Sequence, residues 1–551
     1  SQSKLKLPLL VRNSETRHLL VNFDPALVRL LREVKYLLLL GISVPDNALE
    51  IYKQVETFRK WTGNLDLIVN MNNEVLSVLL PVEKPLITPY LKKFDDAVEK
   101  GLSTLNWKSN GVTEFISDAM EQVKVVDEVC KTMKETLSYI QEQIDGYKKP
   151  LLMRKPKPVV RDEFDREHKN LVKERYGDIK EGGKNIHHRV KETNKVLRVS
   201  NASSDWRAYV DFVNNIVVQG LAECVSTSLE YLYDSINPEV ISKQEMYPMI
   251  EIKLDLVSVR LDDEEARQEM VQFIPDLQVR EDGKGIRDLV NGWIGSFLNV
   301  STLFKRLDNE GTYLREMHTD QGVCMMLAII SETLLSNEEQ CLALKAEYES
   351  YSYLWETDME TAFEAFKKDA IIVSENGQEL LDLEKYEAEL VKYENIRENI
   401  QALVSPMDIG WLRISTQPVK SQLMTWSSRW VEVFQTYLKE TVSDKLNTLD
   451  KFMAQVTEGL DREVVEGPDG KQALMKVMED IRDVRMAMEA TNELFDPMQK
   501  AINLLKAHGS DITAIASVNG RGVQEYLDDA PMVWENVVKK TFSKKEEIMP
   551  M

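Results

Sequence analysis

The sequence predicts a mainly α protein, an elongated series of helical bundles carrying one small β-hairpin at about residues 249–275. Three observations lead there. Glycine (23) and proline (18) are scarce in 551 residues, below the usual shares of roughly 7% and 5%. Proline is absent from Asp276 through Ser405 and from Tyr90 through Lys149, which leaves room for helices longer than the globular mean of about 11 to 12 residues. Apolar residues recur at three- and four-residue steps through most of the chain, whereas one stretch alternates with a period of two. A chain of this length exceeds one hydrophobic core, so about three or four packed units are expected.

The first clear element lies between Leu19 and Gly41. Asp24 is placed to accept from the free amides of a first turn, Pro25 suits the position where a missing N–H costs nothing, and Gly41 supplies the stop. Leu27, Leu30, Leu31, Val34, Leu37 and Leu38 fall on one helical face that must pack against a partner.

The strongest periodicity follows. Val112, Ile116, Ala119, Val123 and Val126 step by four and three, and the same steps continue through Cys130, Met133, Leu137, Ile140 and Ile144 to Tyr147. Five heptads of this kind make a coiled-coil-like seam. The expectation is antiparallel packing within the chain, onto helices such as 24–40 or 64–80, with Leu137 and Ile140 fully buried. The alternative is a surface that receives a helix from another subunit.

Lys148 to Arg161 (KKPLLMRKPKPVVR) then carries six cations, Lys148, Lys149, Arg154, Lys155, Lys157 and Arg161, with three prolines and no acid. Helix cannot continue there, and extended backbone is favoured. It reads as a solvated linker, or as a segment that docks an acidic partner face. The polar stretch beyond, with Gly182, Gly183, His187 and His188, reads as a mobile helical connector.

Ile250, Ile252, Leu254 and Leu256 alternate with Glu251, Lys253 and Asp255, a pattern only a strand can use. The apolar side then switches through Val257, Val259 and Leu261, as a bulge or a strand covered on both faces requires. Val271 to Phe273, ending at Pro275, supplies the second arm of a hairpin seated on helices. Helical periodicity returns from Gly285, with Trp293, Phe297, Leu303 and Phe304 on the apolar side. Gly410, Pro418 and the GPDG at Gly467 punctuate the remainder into shorter helices, and Trp411, Trp426 and Trp430 read as a filled core. The expected segments are a bundle over 1–147, the linker and connector over 148–203, a bundle with the hairpin inserted over 204–405, and a final bundle over 406–551.

Chemistry is conspicuously missing. No P-loop spacing occurs, GPDGKQ lacks both its spacing and its hydroxyl, and GRGVQE at Gly520 follows no strand. The six histidines show no metal-ligand spacing, and the four cysteines (Cys130, Cys224, Cys324 and Cys341) are far apart. Catalytic, cofactor and metal residues are therefore all read as none. With 91 acidic against 69 basic residues, the net charge of −22 repels nucleic acid. No run of 18 or more apolar residues and no signal-peptide pattern occurs, so no membrane contact is expected. Cysteine usage fits a reducing compartment.

Several runs carry a resemblance. VNFDPALVRLLREVKYL, VPDNALEIYKQVETFRKWTGNLDLIVNMNNEVL, PLITPYL and LNWKS, then WRAYVDFV with Trp206, Tyr209 and Val210, YPMIEIKLDLVSVRL and LVNGWIGSFLNVSTLFKRL with Trp293, resemble in order the tail of axonemal dynein heavy chains, most like the outer-arm type. DPMQKAINLLKAHG at Asp496 to Gly509 resembles the approach to the motor's linker. The resemblance implies a non-catalytic middle and late tail fragment, without the family's N-terminal dimerisation region and ATPase ring. It implies intermediate chains, light chains and other heavy chains as partners, assembly in the cytoplasm, residence in the ciliary or flagellar axoneme, and a full-length parent that is an AAA+ ATPase microtubule motor. A general helical scaffold or tethering-complex subunit is the alternative reading.

Overall fold

The computed structural model describes residues 3–154, 159–243, 248–260, 267–374, 377–464 and 468–549. It is mainly helical, with small sheets, and divides into two compact units: Ser1–Met249 with Arg287–Leu335, and Ile250–Ile286 with Ser336–Met551.

In the first unit a short hairpin of β1 (Leu10–Arg12) and β2 (Leu19–Val21) precedes α1 (Pro25–Leu39), α2 (Asp46–Lys53), α3 (Val55–Val78) and α4 (Lys84–Ser103). The cap of α1 forms as its sequence requires: the Asp24 carboxylate accepts from Ala26 N at 2.7 Å, and Gly41 takes φ +71° just past the helix end. Next come α5 (Val112–Lys148), a two-residue strand β3 (Val159–Val160), α6 (Arg161–Leu197), α7 (Ser204–Ile236) and α8 (Pro238–Lys243). Across the hairpin insertion, α9 (Ile286–Leu298) and α10 (Leu314–Thr319) complete this unit.

The heptad helix α5 is its axis. It runs for 37 residues, about 55 Å at 1.5 Å per residue, and packs against α3, α4, α6 and α7. The seam is thus intrachain, while α1 packs on α2. Every seam position from Val112 to Tyr147 is buried except Leu137, which is half-buried and corrects the expectation for that residue. Thr136 turns inward in its place, and its hydroxyl meets that of Thr193 on α6 at 2.7 Å. The contacts Gln143–Asn185 and Thr136–Thr193 show that α6 runs antiparallel to α5.

Glycines set the spacing around α5. A Cβ on Gly101 of α4 would stand 2.3 Å from the Phe115 ring, and one on Gly220 of α7 would stand 2.3 Å from Ile144 Cγ2. Both lie below any real van der Waals contact, so the two neighbours approach α5 only because no side chain intervenes.

The polar stretch after the linker is not a mobile connector. It is the continuous 37-residue helix α6, with Phe164, His168, Ile179, Ile186 and Val190 buried. Gly183 lies under the Phe304 ring, and Tyr176 Oη donates to Ser296 O at 2.6 Å. Mean polarity concealed a narrow apolar stripe flanked by charge.

In the second unit, β4 (Ile250–Arg260) pairs antiparallel with β5 (Arg267–Ile274), in the register Leu254↔Phe273 and Leu256↔Val271. The expected hairpin is present, and its pairing from Lys253 to Arg260 runs one-to-one without a bulge. Its other edge was not foreseen. β4 pairs in parallel with β9 (Leu412–Ser415), which pairs antiparallel with β8 (Met407–Ile409) across a turn whose first residue, Gly410, has φ +55°. Four strands of this unit, β5, β4, β9 and β8, thus share one sheet. The helices of this unit are α11 (Gln321–Glu349), which enters it from Ser336 on, α12 (Tyr353–Glu356), α13 (Met359–Asp369), α14 (Leu383–Ala402), α15 (Gln417–Leu460), α16 (Pro468–Ala507) and α17 (Val523–Ile548). A small exposed hairpin, β6 (Ile371–Val373) with β7 (Glu379–Leu381), sits between α13 and α14. The 44-residue α15 supports the sheet and packs on α14, α16 and α17.

Two outcomes are expected from this packing. Gly220→Ala destabilises the first unit by about 1 to 3 kcal/mol, because the added methyl meets Ile144. Gly63→Ala, in an exposed helix interior with nothing within 4 Å, is neutral or stabilises by up to about 1 kcal/mol. Denaturant melts of the two variants check the contrast. His168, packed among Phe164, Trp293 and Phe297, is held by burial at a pKa of about 4. The unfolded chain therefore binds this proton from about pH 6.5, and the folded chain does not until about pH 4. Its contribution is complete above pH 6.5 and is lost as pH falls towards 4, on the order of 3 kcal/mol. His168→Phe flattens the stability profile in that window, measured as the difference from the unmodified chain.

Candidate functional site

The basic segment begins as part of the fold. Lys148 ends α5, where its ammonium lies 3.0 Å from Asp145 and 2.8 Å from Glu223 of α7, and these partners raise its pKa, Glu223 most. Leu152 and Met153 are buried, and Leu152 N donates to Ser228 Oγ of α7 at 3.2 Å. The chain is thus pinned against α7 for several residues after α5, where sequence suggested a solvated spacer. Lys149 and Arg154 are exposed, and Arg161 opens α6 half-buried. Lys155 and Lys157 lie outside the described residues. The cations available to a partner are therefore fewer than six, because Lys148 is already engaged within the bundle.

Three of the four cysteines and two of the three clustered tryptophans are buried in packing, whereas Cys324 is exposed. Cys130, Cys224 and Cys341 are buried, and burial pushes the Cys224 and Cys341 thiols up to about 12, so their thiolates are inaccessible near neutrality. His187 Nε2 lies 2.7 Å from the Lys305 carbonyl, and His508 Nδ1 lies 2.9 Å from a Glu394 carboxylate oxygen. Among the described residues no group of three or more His, Cys, Asp or Glu is placed to hold a metal. Also among them, no helix is long and apolar enough to cross a membrane. Asn519 and Gly520 form a positive-φ turn closed by Val518 and Arg521, immediately before α17. Trp411 and Trp430 are buried, the latter stacked on Tyr393 at 5.3 Å with its indole N–H donating to Leu354 O at 2.9 Å. Trp426 is half-buried, and its indole donates to a Glu269 carboxylate oxygen at 3.0 Å.

What remains are surfaces. At the C-terminal end of α1, Tyr36, Leu38, Leu39, Leu40 and Ile42 are all exposed, Leu39 and Leu40 by 71% and 73%. The periodicity of α1 placed Leu38 on a buried face, yet only Leu27 and Val34 are buried there. The run LLLL offers a leucine in every direction, so sequence could not say which ones face solvent. A groove between α3 and α5, lined by Trp61, Leu67, Met71 and Met120, and a larger one between α16 and α17 are the other apolar concavities of note.

A family profile described as "Dynein heavy chain, N-terminal region 1" matches residues 1–115. The chain is 31% identical to "Dynein beta chain, flagellar outer arm" of Chlamydomonas reinhardtii, over 100% of this chain and 13% of that protein. It is 27% identical to "Dynein beta chain, ciliary" of Tripneustes gratilla and 27% identical to "Dynein axonemal heavy chain 9" of Homo sapiens, in each case over 100% of this chain and 12% of the relative. The chain thus spans about one eighth of the length of these relatives.

Proposed function

Because the chain belongs to the dynein heavy-chain family, as part of the N-terminal tail region of an axonemal chain, we propose that it is a non-catalytic scaffold. It carries intermediate chains and light chains, packs against neighbouring heavy chains, and couples an ATP-driven microtubule motor elsewhere in the parent to the doublet of an axoneme. The observation that carries this reading is the likeness running the full length of the chain. Long helices wedged together by glycine notches suit a part that transmits position rather than one that turns over substrate.

Two experiments test it. Isothermal calorimetry of the chain with MgATP is expected to show no binding at micromolar affinity, and tight binding would overturn the scaffold-only reading. Co-expression with outer-arm intermediate chains and a neighbouring heavy-chain tail is expected to give a complex stable to gel filtration, and failure of every combination would count against it. The basic segment enters the same assay. Replacing Lys148, Lys149, Arg154, Lys155, Lys157 and Arg161 with Gln leaves assembly unchanged at low and moderate salt if the segment is a spacer. A loss confined to low salt identifies a docking arm, since exposed charges are screened once the Debye length falls to about 8 Å. With Lys148 held by Asp145 and Glu223, the expected result is little change.

A further inference from the structure

The groove between the N-terminal half of α16 and the end of α17 is the most apolar concavity of the second unit among those described, with a volume of about 740 Å³. Leu474, Met478, Ile481 and Met486 of α16 form one wall, and Ile548 and Met549 at the end of α17 form the other. α16 carries two apolar stripes here. Val477, Ile481 and Val484 point inward and are buried. Leu474, Met478 and Met486 face the groove as the second, with Ile481 bordering both. Met478 and Met486 are 58% and 77% exposed. Large apolar side chains this open, gathered along one channel, mark an interaction site.

Charge defines what fits it. The polar lining consists of Arg482, Arg485 and Lys545, with no carboxylate among the lining side chains. Arg482 touches Asp483 at 3.0 Å, whereas Arg485 and Lys545 have no ion pair among the described residues. In a chain of net charge −22 this is a local inversion of sign, around an apolar floor. Methionines line the walls because an unbranched thioether side chain adapts to varied knobs. We propose that the groove receives an amphipathic helix of a partner protein, with apolar anchors at i, i+3 or i+4 and i+7 flanked by Asp and Glu that meet Arg482, Arg485 and Lys545. A basic helix would meet like charge at the rim, where Arg482, Arg485 and Lys545 stand.

The test uses the 551-residue chain and two fluorescent peptides of about 20 residues with the same leucine stripe, one flanked by Glu and the other by Lys. Anisotropy titration is expected to show the Glu-flanked probe binding about tenfold or more tightly than the Lys-flanked one, a difference of about 1.4 kcal/mol. Its affinity falls as salt rises. Arg482→Glu with Arg485→Glu reverses the preference, and Met478→Glu with Met486→Glu removes binding of both probes, with melting curves unchanged because all four side chains are exposed. If a variant fails to fold, the comparison of the two probes on the unmodified chain stands by itself, with photocrosslinking from the stripe locating the contact on α16. Equal binding of the probes, no binding of either, or crosslinks elsewhere overturns the proposal. So does a dimer in sedimentation that Met478→Glu dissociates, which makes a second copy the occupant, or groove-dependent binding to phosphatidylserine vesicles.

Discussion

Close approach to α5 is the constraint from which the first unit follows. A 37-residue helix with neighbours on several sides cannot be enclosed at ordinary side-chain spacing everywhere. Bulk on α5 is answered by absence on its neighbours: Phe115 fits against Gly101, and Ile144 fits against Gly220. The same logic ties ends together electrostatically. Glu83, fully buried before α4, takes Lys134 of α5 at 2.6 Å on Oε2, which also accepts from Leu80 N at 2.8 Å, so the buried carboxylate is paired through that one oxygen. Removing the lysine alone would strand a carboxylate, which makes the pair a device for fixing register between α4 and α5 more than a source of net stability.

The second unit solves a different problem. β4 and β5 as a pair would be marginal, and pairing β4 with β9 in parallel and setting the sheet on α15 buries Ile250, Ile252 and Leu254 on one face. The polar partners Glu251 and Lys253 stay outside, which is why the alternation at Ile250 was so clear.

That contrast explains what the sequence could and could not disclose. Patterns that repeat within one element were readable: the heptads of α5, the Asp24–Pro25 start of α1, and the alternation of β4. Features fixed by a distant partner were not. β9 is four residues long and meets β4 about 160 positions away, so no local signal beyond the Ile409-Gly410 turn announces it. Thr136 turns inward beside Leu137, and the Thr193 that it meets lies 57 positions away. Gly182 and Gly183 looked like flexibility and prove to be close-packing sites, since a glycine in sequence does not say whether it serves a turn or a contact. For candidate surfaces the same limit applies. The six cations of the linker were visible as a run, but that Lys148 is already held by Asp145 and Glu223 depends on where α7 lies. The α16–α17 groove was invisible, its methionines scattered among residues 478–549 without a motif.

A scaffold that bears load must resist sliding between its helices, and friction-like resistance in a protein comes from features that cannot be shifted by one turn. Apolar seams alone are poor at this, because one Leu or Val knob resembles the next and a one-turn slip of about 5.4 Å restores similar contacts. Singular pairings are what forbid it. The Phe115–Gly101 and Ile144–Gly220 notches, the Thr136–Thr193 hydroxyl pair and the Glu83–Lys134 bridge each occur once along α5, and a slip would place a side chain where the glycine had been and leave Glu83 unpaired. Each of these features is a poor choice for maximal helix propensity or maximal apolar burial, and each is a good choice for a unique register. That trade suits the scaffold role proposed for this chain.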